Sequence, residues 1–340
     1  MRTYSQSCVV VFDGYPDYPT TKGEDQRRRA AHKTTADLMF DGNMKTCTSQ
    51  SDFLGNSNNK KRFISQLADQ LQVVGFAVVK ADDDADTVIV QQALLRSNIG
   101  QSLAIVGADT ASFVLLSALS SPGDDVFIIK PVIGTTQQKV YSSKEMIKHL
   151  GDMRHIILCT GCDTTSALYG KGKRKALDML AKNSQMTSVV SVFNHKEATE
   201  EQIAEAGELF LLKLYGSVSL QDTTLDVCRF TSYKRLNARL SLTSNFNLAS
   251  LPPTSAAARQ HSLRVFFQVQ HWIENKLDPT TWSWKLDNND LIPVTSLIPP
   301  VPDKLLKLIS CNCKKSCQPG CACRQIGLNY AQQCVDTVKV

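Results

Sequence analysis

Residues 8–14 read CVVVFDG, an apolar run that ends on the pair Asp13 and Gly14. A short apolar run that is closed by turn residues is typical of a buried β-strand. Four more such runs follow, at residues 76–79, 103–106, 126–129 and 156–159. Segments with helical character lie between them, at residues 22–33, 60–73 and 87–96. This alternation predicts an α/β fold in which a parallel sheet is flanked by helices.

Aspartates follow four of the predicted strands: Asp13, Asp82, Asp84, Asp109 and Asp163. The carboxyl ends of parallel strands meet at one edge of a sheet, and ligands bind there. Any one of these aspartates alone would be assigned to helix capping. Five together predict a metal site, because carboxylates hold the Mg²⁺ ions that neutralise charge when water cuts a phosphodiester.

In this order, the motifs resemble those of flap endonucleases and XPG-type nucleases, which belong to the PIN-like superfamily. Residues 9–14, with Lys22 and residues 27–29, resemble the family's first segment, and residues 82–85 resemble its acidic pair. Residues 107–111 resemble the segment that carries D-x-D in the family. Residues 161–177 resemble the last motif, in which a metal ligand precedes a helix–two-turn–helix that grips the duplex backbone.

The resemblance covers residue 9 to about residue 182 and implies a Mg- or Mn-dependent endonuclease. The implied catalytic residues are Asp13, Asp82, Asp84, Asp109 and Asp163, of which the last four would hold Mg²⁺. The chain departs from the family where the second aspartate of D-x-D is Ala111, next to Ser112, a poor neutral substitute. We also expect the family's first strand, which carries another aspartate, to be absent upstream of Asp13. Both departures predict weak metal binding and impaired hydrolysis.

Basic residues near these motifs predict contacts with phosphates: Lys22, Arg27, Arg28, Arg29, Lys171, Lys173, Arg174 and Lys175. Gly170 and Gly172 would let the backbone approach a phosphate closely. A helix that begins at Lys173 would present its N-terminal amides to phosphate oxygens. Taken alone, residues 170–175 could equally well be a glycine-rich turn before a solvated basic helix. Because they follow the matched Asp163, we favour phosphate binding. Residues 40–59 are rich in Asn, Ser, Gly and Thr, which predicts a loose loop where the family has its arch.

The C-terminal segment holds six of the eleven cysteines: Cys311, Cys313, Cys317, Cys321, Cys323 and Cys334. Cysteines this dense predict zinc–thiolate coordination, with one site or with two sites that share sulfurs. Residues 311–316 resemble the opening of the CXC motif of tesmin-type chromatin proteins, a zinc knot that contacts DNA. Spacing and cysteine number depart from that motif. Residues 304–340 carry a net charge of +5, which suits phosphate contact through Lys314 and Lys315.

Four segments are expected along the chain: a PIN-like domain at 1–183 with its helix–two-turn–helix at 161–183, a helical region at 184–280, a linker at 281–303 and a cysteine-rich zinc knot at 304–340. Helices are predicted at residues 197–215, 222–240 and 255–275. Residues 251–272 resemble a segment of poorly characterised invertebrate proteins that are linked to repetitive elements.

The net charge of +6 permits an anionic partner without requiring one. No apolar run reaches the ~18 residues of a spanning helix, and the N-terminus lacks a secretory signal, so we expect an intracellular, nuclear protein with no membrane partner. Three functions stay open. The chain is a binding protein for branched or duplex DNA with impaired catalysis, an active endonuclease, or a non-catalytic scaffold derived from a mobile element.

Overall fold

The computed structural model describes residues 7–30, 36–45, 48–107, 110–132, 137–150, 162, 164–183, 185–216, 224–240 and 248–296, except the side chains of residues 29, 30 and 237–240. The chain divides into two compact units, Met1–Thr295 and Ser296–Val340. The predicted zinc knot lies outside the described residues, as does the strand predicted at residues 156–159.

Eleven helices and seven strands are described in the first unit. The helices are α1 (Thr21–Ala30), α2 (Gln50–Phe53), α3 (Ser57–Val73), α4 (Ala85–Ser97), α5 (Thr110–Leu119), α6 (Ser143–Leu150), α7 (Lys173–Lys182), α8 (Gln185–Val190), α9 (Glu200–Leu214), α10 (Leu225–Leu240) and α11 (Ser255–Trp272). The strands are β1 (Val9–Phe12), β2 (Ala77–Lys80), β3 (Leu103–Val106), β4 (Val126–Lys130), β5 (Lys139–Ser142), β6 (Trp284–Asp287) and β7 (Asp290–Pro293). The α/β class is confirmed.

The strands form three small sheets among the described residues. β1 pairs in parallel with β2, and β3 pairs in parallel with β4. β5 lies antiparallel to β4, and β6 and β7 form a hairpin. The predicted strands that are described therefore pair in parallel, as expected, but in two sheets rather than in one, and the antiparallel β5 was not predicted. Only residues 131–138 join β4 to β5, and so short a connection cannot make the crossover that parallel pairing needs.

Three other local predictions are corrected. The expected loop at residues 40–59 contains α2 and the start of α3, whose N-cap Asn56 accepts hydrogen bonds from the amides of Asn58 and Asn59. The expected linker at 281–303 contains the β6–β7 hairpin, in which Trp284 is buried. The expected helix–two-turn–helix at 161–183 shows one helix, α7, among its described residues, which before Lys173 form turns and irregular chain.

The hydrophobic core is continuous from Val90 in α4 to Trp272 in α11. Helix α11 is buried along most of its length, begins at the N-cap Thr254 and packs mainly against α9. Helix α9 begins with a capping box of Thr199 and Gln202. The described part of the expected PIN-like domain therefore shares its core with the expected helical region.

Gly14 joins the ends of β1 and β2. Its amide donates to the carbonyl of Asp83 at 2.9 Å. A Cβ atom at Gly14 would overlap the backbone carbonyls of Ala81 and Asp82. The two strand ends can approach this closely only because residue 14 has no side chain.

We expect Gly14→Ala to lower the free energy of unfolding by about 3 kcal/mol, because the added methyl group meets backbone atoms that cannot move aside. Urea denaturation followed by circular dichroism measures this. Gly42→Ala is the matched control, since nothing lies within 4 Å of a Cβ at Gly42. Equal midpoints for the two variants would contradict the close approach.

His261 on α11 predicts a second effect, on stability at acid pH. Neither ring nitrogen has a hydrogen-bond partner among the described residues, and burial, helped by nearby Arg264, lowers the pKa of His261 from 6.5 to about 4. Between pH 6.5 and 4, His261 is therefore protonated in the unfolded chain but neutral in the folded chain. Stability should fall by up to about 3 kcal/mol as the pH drops from 6.5 to 4.

The measurement is urea denaturation at several pH values for wild type and His261→Leu. The variant should lose this part of the pH dependence, whereas His195→Leu, at an exposed position, should keep it. An unchanged pH profile in His261→Leu would count against the assignment.

Candidate functional site

Lys22 on α1 lies between two aspartates that the sequence places 71 positions apart. Its Nζ donates to Asp13 Oδ1 at 2.6 Å and to Asp84 Oδ1 at 2.7 Å. The three side chains are 20–33% exposed, so the ion pairs are only partly screened by water. The paired ends of β1 and β2 bring the two carboxylates together, and α1 supplies the cation.

Helix capping does not explain Asp84. Asp84 is the N-cap residue of α4, yet its side chain accepts no hydrogen bond from the helix backbone. Its carboxylate instead accepts from Lys22 and from the hydroxyl of Thr87 at 3.0 Å. The amide of Ala85, at the start of α4, donates to Asp13 Oδ1 at 3.1 Å. Asp13 therefore supplies the capping contact from the neighbouring strand, and Asp84 is held toward Lys22.

Two further aspartates lie beside this ion pair, Asp83 and Asp86. The hydroxyl of Thr20 donates to Asp83 Oδ1 at 3.2 Å, and the hydroxyl of Ser112 donates to Asp86. Sequence reasoning gave neither aspartate a role, although both belong to the acidic run at residues 82–86.

The charges of the site shift two pKa values. Burial by itself lowers the pKa of Lys22, but Asp84 and Asp13 outweigh burial and raise it above its ordinary value. Lys22 is therefore a cation at every physiological pH. Burial raises the pKa of Asp83, against the opposing influence of Lys22 and Thr20.

These side chains border a cleft of about 580 Å³, which we call the acidic cleft. Its lining includes five carboxylates, from Asp13, Asp25, Asp83, Asp84 and Asp86, and three lysines, Lys22, Lys60 and Lys173. Ala111, the position where the resemblance expects an aspartate, lines the same cleft. Gln268 and His271 reach it from α11.

The structure brings together only part of the predicted metal set. Asp13 and Asp84 meet, whereas Asp82 is exposed and lines a different cleft. Asp109 and Asp163 lie outside the described residues. Within the described part of the chain, no three His, Cys, Asp or Glu side chains are grouped closely enough to hold a metal ion. These residues alone therefore do not build the predicted Mg²⁺ site.

Two of the arginines of α1 that were predicted to contact phosphates form ion pairs within the protein, although both side chains stay exposed. Arg27 forms ion pairs with Glu24 and with Asp290 of β7, and Arg28 pairs with Asp25 at 2.6 Å. The side chain of Arg29 is not among those that the structure describes.

The residues around the start of α7 that were predicted to contact phosphates differ in their surroundings. Lys171 donates to the carbonyl of Leu214 at 3.0 Å and lies over the ring of Tyr215, and Lys175 donates to the carbonyl of Gly170 at 2.6 Å. Gly170 has φ +63°, which favours glycine, and Gly172 is the N-cap of α7. Lys173 lines the acidic cleft, and Arg174 is exposed. Both lie in the first turn of α7, the end of a helix at which backbone amides attract phosphates.

No protein-family model matches this chain, and no curated protein is significantly similar to it. None of the described helices is both long enough and apolar enough to cross a membrane.

Lys22→Met should lower the free energy of unfolding by about 1–3 kcal/mol, less than the ~3–5 kcal/mol of a fully buried pair, because it leaves two carboxylates facing each other without a cation. Asp84→Asn in the same chain should recover part of this loss in a double-mutant cycle.

Lys61→Met is the matched control, since Lys61 pairs with Asp17, whose side chain is 94% exposed, and such pairs contribute ~0–1 kcal/mol. Urea denaturation at constant ionic strength compares the variants. If Lys22→Met were as stable as Lys61→Met, the ion pair would not hold the strand ends together.

Proposed function

We propose that this protein binds branched or duplex DNA through a PIN-like, nuclease-type core whose metal-dependent hydrolysis is impaired. One observation carries the proposal: the ammonium group of Lys22 lies between Asp13 and Asp84, two aspartates that the resemblance assigns to the catalytic set. Their convergence supports the nuclease-type origin, and the cation between them supports the loss of catalysis.

The loss follows from competition for the same oxygens. A divalent ion that used Oδ1 of both aspartates would have to displace a cation already bonded to each at 2.6–2.7 Å. Ala111 contributes a methyl group where a carboxylate would add charge, so the cleft has less to offer the incoming ion. Mg²⁺, which gives up its water reluctantly, is the ion most affected.

DNA binding does not need that ion. Lys173 and Arg174 stand in the first turn of α7, where amides point outward and the helix dipole favours anions. The N-cap Gly172 has no side chain to occupy those amides. Phosphates would meet this helix end at the edge of the acidic cleft, and such contacts read the backbone rather than the sequence of bases.

The cysteine-rich segment adds a second proposed contact. Zinc held by Cys311, Cys313, Cys317, Cys321, Cys323 and Cys334 would fold the segment and present Lys314 and Lys315 to phosphates. The cysteines lie outside the described residues, and this contact with DNA agrees with the nuclear location that we propose.

An active Mg- or Mn-dependent endonuclease is the second candidate. The acidic cleft favours it in one respect, because Asp83 and Asp86 add two carboxylates to the lining that the motif comparison did not include. The resemblance assigns Asp109 and Asp163 to the same metal set.

DNA binding is tested by fluorescence anisotropy of the full chain on a branched duplex, without Mg²⁺ or Mn²⁺ and at several KCl concentrations. Replacing Lys173 and Arg174 together by alanine should weaken binding and reduce the slope of log Kd against log salt by about two, one for each lost phosphate contact. Lys182→Ala, at the other end of α7, is the matched control and should change neither quantity.

Three results would change the conclusion. Equal effects of the double variant and of Lys182→Ala would remove α7 from the interface. Cleavage of branched DNA with Mn²⁺, abolished by Asp84→Asn, would favour the active endonuclease. No salt-dependent binding at all would overturn both candidates and leave the scaffold.

A further inference from the structure

A second cleft, of about 540 Å³, adjoins the acidic cleft and shares Asp13 and Ile64 with it. Two aromatic residues, Tyr15 and Tyr18, line this second cleft, which we call the tyrosine cleft. The two clefts therefore meet at Asp13, and a nucleic acid bound in one of them lies beside the other.

The loop that carries the two tyrosines is stiff. It starts at Gly14, whose amide is hydrogen-bonded to Asp83 just after β2, and contains Pro16 and Pro19, whose rings fix φ. The Nζ of Lys60 lies 5.4 Å from the centre of the Tyr15 ring and steadies it. Because the loop is already ordered, a ligand that binds to it pays a lower entropic cost.

Tyr18 offers the free aromatic surface. Its side chain is 59% exposed, whereas Tyr15 is half-buried. A single exposed tyrosine is ordinary on a protein surface. Here the exposed ring borders a cleft of nucleotide size, with Ile64 and Ala81 as apolar neighbours.

The charges of the tyrosine cleft nearly cancel. Lys61 pairs with Asp17, and Lys80 donates to the hydroxyl of Ser65 at 3.3 Å, while Asp82 is exposed. Asp13 is already paired with Lys22. A phosphate gains little from charge here, and the exposed Tyr18 ring favours a flat, largely uncharged group instead.

We propose that the tyrosine cleft binds an unpaired base at a single-stranded end of a branched nucleic acid, with Tyr18 as the stacking surface. This inference rests on the proposed function and names the feature that makes its DNA binding structure-selective. Bases stack on aromatic side chains whatever their identity, and paired bases inside a duplex are not available to do so.

The test compares two DNAs that share one duplex, of which only one carries an unpaired arm ending in 2-aminopurine. Tyr18→Ala should weaken binding of the armed DNA by about 5- to 150-fold and restore 2-aminopurine fluorescence. It should leave the armless duplex and the salt dependence unchanged, because stacking releases no counterions.

Two matched variants accompany it. Tyr18→Phe keeps the ring and should keep the preference for the arm. Phe230→Ala removes an equally exposed aromatic ring, at 58%, that lies on α10 and lines neither cleft, and should have no effect.

The outcomes are distinguishable. Weaker binding of both DNAs by Tyr18→Ala, or an equal effect of Phe230→Ala, would overturn the stacking role. Wild-type binding of the duplex with no preference for the arm would overturn this inference and leave the proposed function standing. Displacement of the arm by free nucleoside monophosphate at low concentration would make the cleft a nucleotide site instead, and absence of all DNA binding would end both proposals.

Discussion

The ion pairs of Lys22 with Asp13 and Asp84 are the constraint on which the site depends. Parallel pairing of β1 with β2 brings two carboxylates to one edge, and like charges at that distance repel. The ammonium of Lys22 turns this repulsion into attraction and ties α1 to both strand ends. The same cation sets the chemistry of the cleft, since it neutralises the oxygens that an external cation would use.

Several elements could be predicted because their signal is local. The run at residues 8–14 contains the strand, the acid and the turn residue, and β3 has the predicted bounds of residues 103–106. The start of α7 at Lys173 was also confirmed, since Gly172 interrupts the pattern there. Apolar runs, acids and glycines mark such features wherever the rest of the chain goes.

Other features could not be predicted because they depend on distant residues. The sequence shows Asp84 before a helix, where capping is the ordinary role, and only the fold brings Lys22 to it. Lys22 itself was expected to contact phosphate, and its partner is instead a pair of carboxylates. The hairpin of β6 and β7 is short and follows a proline-containing stretch, so its composition indicated a linker. Its order comes from burial of Trp284 against Phe267 and Leu291.

The hairpin also bears on how the protein acquires its structure during synthesis. Arg264 in α11, whose burial lowers its pKa to about 10, bonds to Ser166 and to Ser283, and Arg27 in α1 pairs with Asp290 in β7. Helix α1 is synthesised early, but the ion pair of its Arg27 can form only after Asp290 has left the ribosome. Contacts of such long sequence separation make folding slow. The acidic cleft is lined by Gln268, His271 and Trp272 of α11, so it cannot reach its final form before that helix is made, although its strands are made first.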